Sequence, residues 1–267
     1  MIGFVYFDTD VLHLIGKTNA NQGLPAELRE RMLLSYITFL EAFSQLTLSD
    51  NAEILSHIQA IHNWVNPKNA GLLPHPDAAI AEIGFQETQA ADGFTARVIN
   101  LCLDTNSPEE LRAAASEVMN ALGEMKHRAA QDFTHLVDVY RREPHTGDKF
   151  SEGWLNGIAR RARVDPNARP LAEIVSALSA YYEFEEERIK LAARDPHYEP
   201  DQNDIIDSQQ LVYLGYPALH FLTCDGGYCK RVRKSEQAAR IHKVSHEELG
   251  DVHRVEALLR KVTDFGT

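Results

Sequence analysis

The residues of this chain best placed to do chemistry are carboxylates that end short apolar runs. Asp8 closes the run 2–7, Ile-Gly-Phe-Val-Tyr-Phe, and Asp225 follows the run 218–223, Ala-Leu-His-Phe-Leu-Thr. In an open parallel α/β sheet the functional crevice lies beyond the carboxyl ends of the strands, so both side chains are expected at one edge. Asp204 and Asp207 are three apart in the stretch 201–211. That spacing sets them on one helix face near its N-terminus, where the helix dipole favours anions. Asp204 could equally serve as an N-cap. Glu41 is the only charge between Arg31 and Asp50, embedded in the apolar stretch 35–43. Burying a carboxylate unpaired is costly, so Glu41 is expected to hold a partner or a metal ion, or to reach solvent from its helix. Carboxylates gathered in this way can hold metal ions that meet phosphates.

The elements that must position them follow from periodicity. Runs rich in β-formers at 2–7, 218–223 and 240–244 suit strands covered on both faces. Ser107-Pro108-Glu109-Glu110 is a helix start with proline at the first helical position. Beyond it Leu111, Ala115, Val118, Leu122, Met125, Ala129, Phe133, Leu136 and Tyr140 recur at steps of three or four, the stripe of a helix packed on a core. Further helices are expected over about 26–47, 51–65, 77–101, 150–163 and 170–194, separated by Pro- and Gly-containing breaks. Ser245 and Glu248 read as a capping box opening the last helix. Strands alternating with helices imply a parallel sheet with helices on both faces.

Composition bounds the function. Over 267 residues, 44% are hydrophobic and 25% charged, the profile of an ordinary globular protein rather than a disordered one. With 27 Lys+Arg against 39 Asp+Glu the net charge is -12, which disfavours a protein that coats DNA through bulk positive charge. It leaves nucleic acid open as a substrate met through metal ions. No apolar run approaches the length of a membrane span. The N-terminus lacks a basic region and reaches a carboxylate by residue 8, so a signal peptide is not expected. Cys102, Cys224 and Cys229 are too few and scattered for a disulfide framework, which points to a cytoplasmic protein.

Taken together, these motifs resemble PIN-like domain nucleases, in which four acidic positions gather around divalent metal at the end of a small parallel sheet. Phe7-Asp8-Thr9-Asp10-Val11-Leu12 resembles the opening strand, Asp, Thr signature. The stretch from Ser35 to Glu41 resembles the helix that carries the second carboxylate. Asp207, followed by Thr223-Cys224-Asp225, resembles the third acidic position and the closing Thr-x-Asp. The Asn203-Asp204-Ile205-Ile206-Asp207 run is similar to one found in larger PIN-like proteins. The resemblance covers residues 1–48 and 200–250; typical members are shorter, and residues 50–200 have no counterpart in them. It implies an α/β fold with a small parallel sheet flanked by helices, its core formed by 1–48 and 200–267. Residues 49–199 would then be a large all-helical insertion.

The chemistry that follows is metal-dependent phosphodiester hydrolysis, with RNA the expected substrate. Four carboxylates without a cation would repel one another, and Mg²⁺ or Mn²⁺ suits a hard oxygen-donor set. Asp8, Glu41, Asp207 and Asp225 are the expected ligands and catalytic residues, with Asp204 an additional ligand. Thr9 or Thr223 could orient them. The twelve histidines show no ligand-like spacing. Lys230, Arg231, Arg233 and Lys234, just after Asp225, are candidates for backbone phosphate contact, and Arg160, Arg161 and Arg163 form a second cluster. Two rivals stand beside this reading. Asp8-Thr9-Asp10 also resembles the start of haloacid-dehalogenase-like phosphatases, with Asp8 as nucleophile. Alternatively the acidic cluster is vestigial and the chain is a scaffold or regulator. Whether the chain forms a homodimer or binds a protein regulator is left open by the residues.

Overall fold

Short apolar runs become strands here because neighbouring elements cover both of their faces. The computed structural model describes residues 3–17, 23–44, 72–89, 108–142, 147–195, 197–198 and 202–264. Four strands, β1 (Phe4–Phe7), β2 (Met32–Leu33), β3 (Leu219–Thr223) and β4 (Ile241–Lys243), form one sheet in the order β2-β1-β3-β4. Every pair is parallel, and Phe7 lies beside Leu222. The residues that follow, Asp8 and Thr223, therefore leave the sheet side by side.

Among the described residues the helices are α1 (Thr9–Lys17), α2 (Ala26–Arg29), α3 (Tyr36–Ser44), α4 (Pro76–Phe85), α5 (Pro108–Arg142), α6 (Gly147–Ala162), α7 (Leu171–Ala177), α8 (Ser179–Arg194), α9 (Gln202–Gln210), α10 (Gly226–Arg231) and α11 (Val252–Thr263). Alternation along the strands divides the core. Val5, Phe7 and Leu222 pack with Val11 and Ile15 of α1, Ile37 and Leu40 of α3, Val255 and Leu259 of α11, and Ala115, Val118 and Leu122 of α5. Tyr6, Leu219 and Phe221 face the other way, onto Ile80 of α4, Phe133 and Leu136 of α5, Trp154 of α6 and Phe184 of α8. From Ala115 onward the stripe expected on the helix from 108 is thus packing surface, shared between both cores; the Leu111 side chain lies outside the described residues. No described helix is long and apolar enough to cross a membrane.

Several expected boundaries are corrected, each by a contact from outside the local sequence. Over its described part, 26–44, the helix expected over 26–47 is two helices split by an edge strand. The Arg31 carbonyl accepts from Val5 N–H, and Ser35 Oγ then accepts from Thr38 N–H to start α3 afresh. The helix expected over 77–101 ends at Phe85. Gln86 adopts left-handed φ 60°, and the Gln86 and Glu87 N–H groups fold back onto the Glu82 and Ala81 carbonyls. The helix expected over 170–194 breaks at Leu178, where a distant side chain replaces the lost backbone bonds. Gln237 accepts from Ala180 N–H and donates to the Ala177 carbonyl. Ser245 and Glu248 do form their reciprocal bonds, but around a single turn; the last helix starts at Val252, capped by Asp251. The helix expected over 51–65, residues 90–101 of the one expected from 77, and Cys102 lie outside the described residues.

One buried hydroxyl ties three of the elements that carry the candidate carboxylates. Thr38, on α3 with no exposed surface, donates to the Phe7 carbonyl at 2.7 Å and accepts from the Gln210 amide at 2.8 Å. Gln210 ends α9, and its own carbonyl accepts from the Tyr6 hydroxyl at 2.7 Å. β1, α3 and α9 are thereby fixed relative to one another. Thr38→Val keeps the shape but removes a partner from three polar groups, the Phe7 carbonyl, the Gln210 amide and the Ser35 hydroxyl, which typically costs about 1–3 kcal/mol for each buried group left unsatisfied. Denaturant unfolding of this variant is expected to show a loss of ~3 kcal/mol. An unchanged midpoint would mean that the network contributes nothing.

Candidate active site

Asp8 is the first polar residue beyond β1, and its carboxylate is held from both sides. Oδ1 accepts from Val11 N–H at 2.8 Å, which starts α1. Oδ2 accepts from the Thr223 hydroxyl and, at 3.1 Å, from Cys224 N–H. Burial nevertheless pushes its carboxyl up to about 6, against the Thr223 and Val11 hydrogen bonds, and the charge of Asp10 adds to the rise. Thr9, the next residue, donates its hydroxyl to Glu41 Oε2. Glu41 reaches this point because α3 packs against α1. Burial raises its pKa too, opposed by the Thr9 bond and the Lys126 charge and reinforced by Asp10.

On the other side of the edge, Asp225 caps α10. Its Oδ1 accepts from Gly227 N–H at 2.7 Å, and its own N–H donates to Thr223 Oγ1 at 2.9 Å. The Thr223 hydroxyl therefore links the turn of Asp225 to the carboxylate of Asp8. Asp207 lies half-buried on α9, and its carbonyl accepts from the Tyr228 hydroxyl at 3.1 Å. Tyr228 is buried, stacked edge-on to Phe221 at 5.1 Å between ring centroids. Its phenol pKa is raised well above the usual range by burial first, then by the charges of Asp207, Asp8, Glu41 and Asp225. Four carboxylates separated by more than two hundred positions thus act on one hydroxyl.

Asp8, Glu41, Asp207 and Asp225 are brought to one end of the sheet, and Thr9 and Thr223 each bond one of them. As the side chains stand, no three His, Cys, Asp or Glu among the described residues close around a single point as a metal sphere would. The threonine hydroxyls and backbone N–H groups take up carboxylate oxygens instead. The side chain of Asp204 lies outside the described residues.

The expected phosphate contacts fare differently. Lys230, Arg233 and Lys234 are exposed, whereas Arg231 lays its guanidinium over the Phe184 ring at 5.0 Å. Arg161 is committed to the fold, with Nη2 2.7 Å from Asp77 Oδ1 and Nη1 3.0 Å from the Tyr181 hydroxyl. Arg160 pairs with Asp132. Arg160 and Arg161 therefore tie α6 to its neighbours, while Arg163 is exposed.

The sequence reading missed three residues near this site: Tyr228, Lys126 and Lys243. Asp10 was visible in the Asp8-Thr9-Asp10 motif, where the phosphatase alternative makes it a general acid; here its charge acts on both Asp8 and Glu41. The others reach the site through helix phase and strand register. In comparisons with known proteins the chain matches no family model, no curated protein and no solved structure.

Proposed function

We propose that this chain is a metal-dependent phosphodiesterase of the PIN-like kind that cleaves RNA in the cytoplasm. The observation that supports the reading is the linkage of three carboxylates at the carboxyl end of the parallel sheet: Thr223 bonds Asp8 and the Asp225 N–H, and Thr9, next to Asp8, bonds Glu41, while Asp207 lies on α9 with its carbonyl bonded by Tyr228 of α10. The donor set fits a hard divalent cation. It is all oxygen, and two of its members, Asp8 and Glu41, are half-buried carboxylates whose pKa values desolvation raises. Asp8, Glu41, Asp207 and Asp225 would hold Mg²⁺ or Mn²⁺, which when bound supplies an acidified water and charge for the phosphodiester.

The chain's own residues do the rest. Thr223 aims Asp8 while its bond from Asp225 N–H fixes the adjoining turn. Thr9 aims Glu41. Tyr228 holds the Asp207 carbonyl and so sets the distance between α9 and α10. Such outer partners typically change metal affinity or activity by 10–100-fold when lost. The direct test is cleavage of single-stranded RNA with Mn²⁺ by the full chain and by Glu41→Gln. A fall of about 10²-fold or more is expected, on the scale of removing one group that stabilises transition-state charge. Equal rates would overturn the assignment.

A further inference from the structure

Two lysines from different parts of the fold flank the carboxylates. Lys243 is the last residue of β4, in register with Thr223, and Val244 N–H donates to the Thr223 carbonyl at 2.9 Å. Its side chain is exposed and runs back over the Asp225 turn. A Cβ built on Gly226 would lie 3.1 Å from Lys243 Nζ, so the lysine tip rests against this turn. The ammonium therefore stands at the turn that carries Asp225. Lys126 comes from the opposite side. It lies on α5 four residues beyond Leu122, which is buried against α3, and next to Met125, which packs on the same core. That phase points Lys126 along the α3 face towards Glu41, on which its charge acts. Half-buried, it extends from a helix that the notional nuclease core does not contain.

We propose that Lys126 and Lys243 bind backbone phosphates of single-stranded RNA on either side of the carboxylates. The proposal rests on the nuclease reading and gives its site a substrate track. With a net charge of -12 the chain repels polyanions as a whole, so cations standing at the site itself must hold the backbone. Lys243 serves the Asp225 side and Lys126 the Glu41 side. Of the basic residues after Asp225, Lys230 and Arg231 close α10, with Arg231 engaged by Phe184, and Arg233 and Lys234 lie beyond it.

The test is binding of a fluorescent single-stranded RNA oligonucleotide to the full chain, with Ca²⁺ in place of Mn²⁺, followed against salt by anisotropy. Each phosphate contact to a single strand contributes about 0.7 to the slope of log affinity against log salt. Lys126→Gln and Lys243→Gln are each expected to lower that slope by ~0.7 and to raise KM more than they lower kcat. Lys→Arg at either position restores the slope. Wild-type cleavage with Mn²⁺ together with unaltered slopes in both variants would overturn the lysine assignment alone. A wild-type chain that neither binds nor cleaves RNA with any divalent metal overturns the nuclease reading and this assignment with it. Should Lys126→Gln fail to fold, Lys126→Arg and the exposed Lys243→Gln decide the matter.

Discussion

Asp8→Asn is expected to lower Mn²⁺-dependent RNA cleavage by about 10³-fold, a loss of ~4 kcal/mol of transition-state stabilisation. Asp8 is held by three donors, with Val11 N–H, the Thr223 hydroxyl and Cys224 N–H all directed at it. Asn keeps the size and can keep the Oδ1 bond that starts α1, so the fold is expected to survive. Its amide nitrogen would face Cys224 N–H, a clash of donors that costs on the order of 1 kcal/mol. Removing a buried charge offsets that cost. The melting temperature should therefore stay near that of the wild type while activity disappears. Cleavage within threefold of wild type would remove Asp8 from the mechanism.

The second large effect is on stability. At pH 7.5, Mn²⁺ at a hundred times its Kd should stabilise the chain by about 2.7 kcal/mol. For a protein of this size that corresponds to roughly 5–10 °C in Tm. At pH 5 the shift should shrink to a small fraction. The sign follows from Asp8, whose carboxyl titrates at about 6 in the fold against an ordinary value of 3.8. The folded metal-free chain thus keeps a proton that the unfolded chain has released. Its contribution is present below about pH 4 and is lost as pH rises through 6. Glu41 shifts in the same direction. Metal binding requires the deprotonated groups, so its effect grows over that interval. His242 pulls the other way, because burial, His220 and Lys261 hold its pKa down to about 4 from 6.5. Its contribution is full above pH 6.5 and fades as pH falls. The quantity to follow by scanning fluorimetry is therefore the difference in Tm with and without Mn²⁺ at each pH. A shift independent of pH would place the metal elsewhere, and no shift at millimolar metal would favour the scaffold reading.

The parts legible in the sequence are those with a local physical cause. Strands covered on both faces leave continuous apolar runs, so β1 and β3 and their polar terminators stand out at Asp8 and at Thr223 to Asp225. Proline at the first helical position marks Pro108, and the three-to-four stripe beyond it follows the face of α5 that is buried. What stayed hidden depends on distant partners. β2 is two residues, Met32 and Leu33, with no strand periodicity to read; it exists because β1 offers an open edge. Gln86 ends α4 in a left-handed conformation that sequence patterns reserve for glycine. Gln237 breaks the helix at Leu178 from some sixty residues away. Ser245 and Glu248 show the complementary case, a motif whose bonds form while the element it usually announces does not follow. Lys126 and Lys243 were invisible for the same reason as Gln237. Their relevance comes from which helix face and which strand register stand beside Glu41 and Thr223.

The sharing of α5 between the two packing faces has a consequence for any attempt at miniaturisation. At about 1.5 Å per residue this 35-residue rod is on the order of 50 Å long. Its first half seats the carboxylate-bearing helix and its second half anchors the far side of the sheet. Excising the central stretch to obtain a short catalytic fragment would strip Tyr6, Leu219 and Phe221 of their cover and leave a sticky, aggregation-prone slab. The helices between the two terminal segments are structural walls of the same building, and a working truncation would have to rebuild that lost wall.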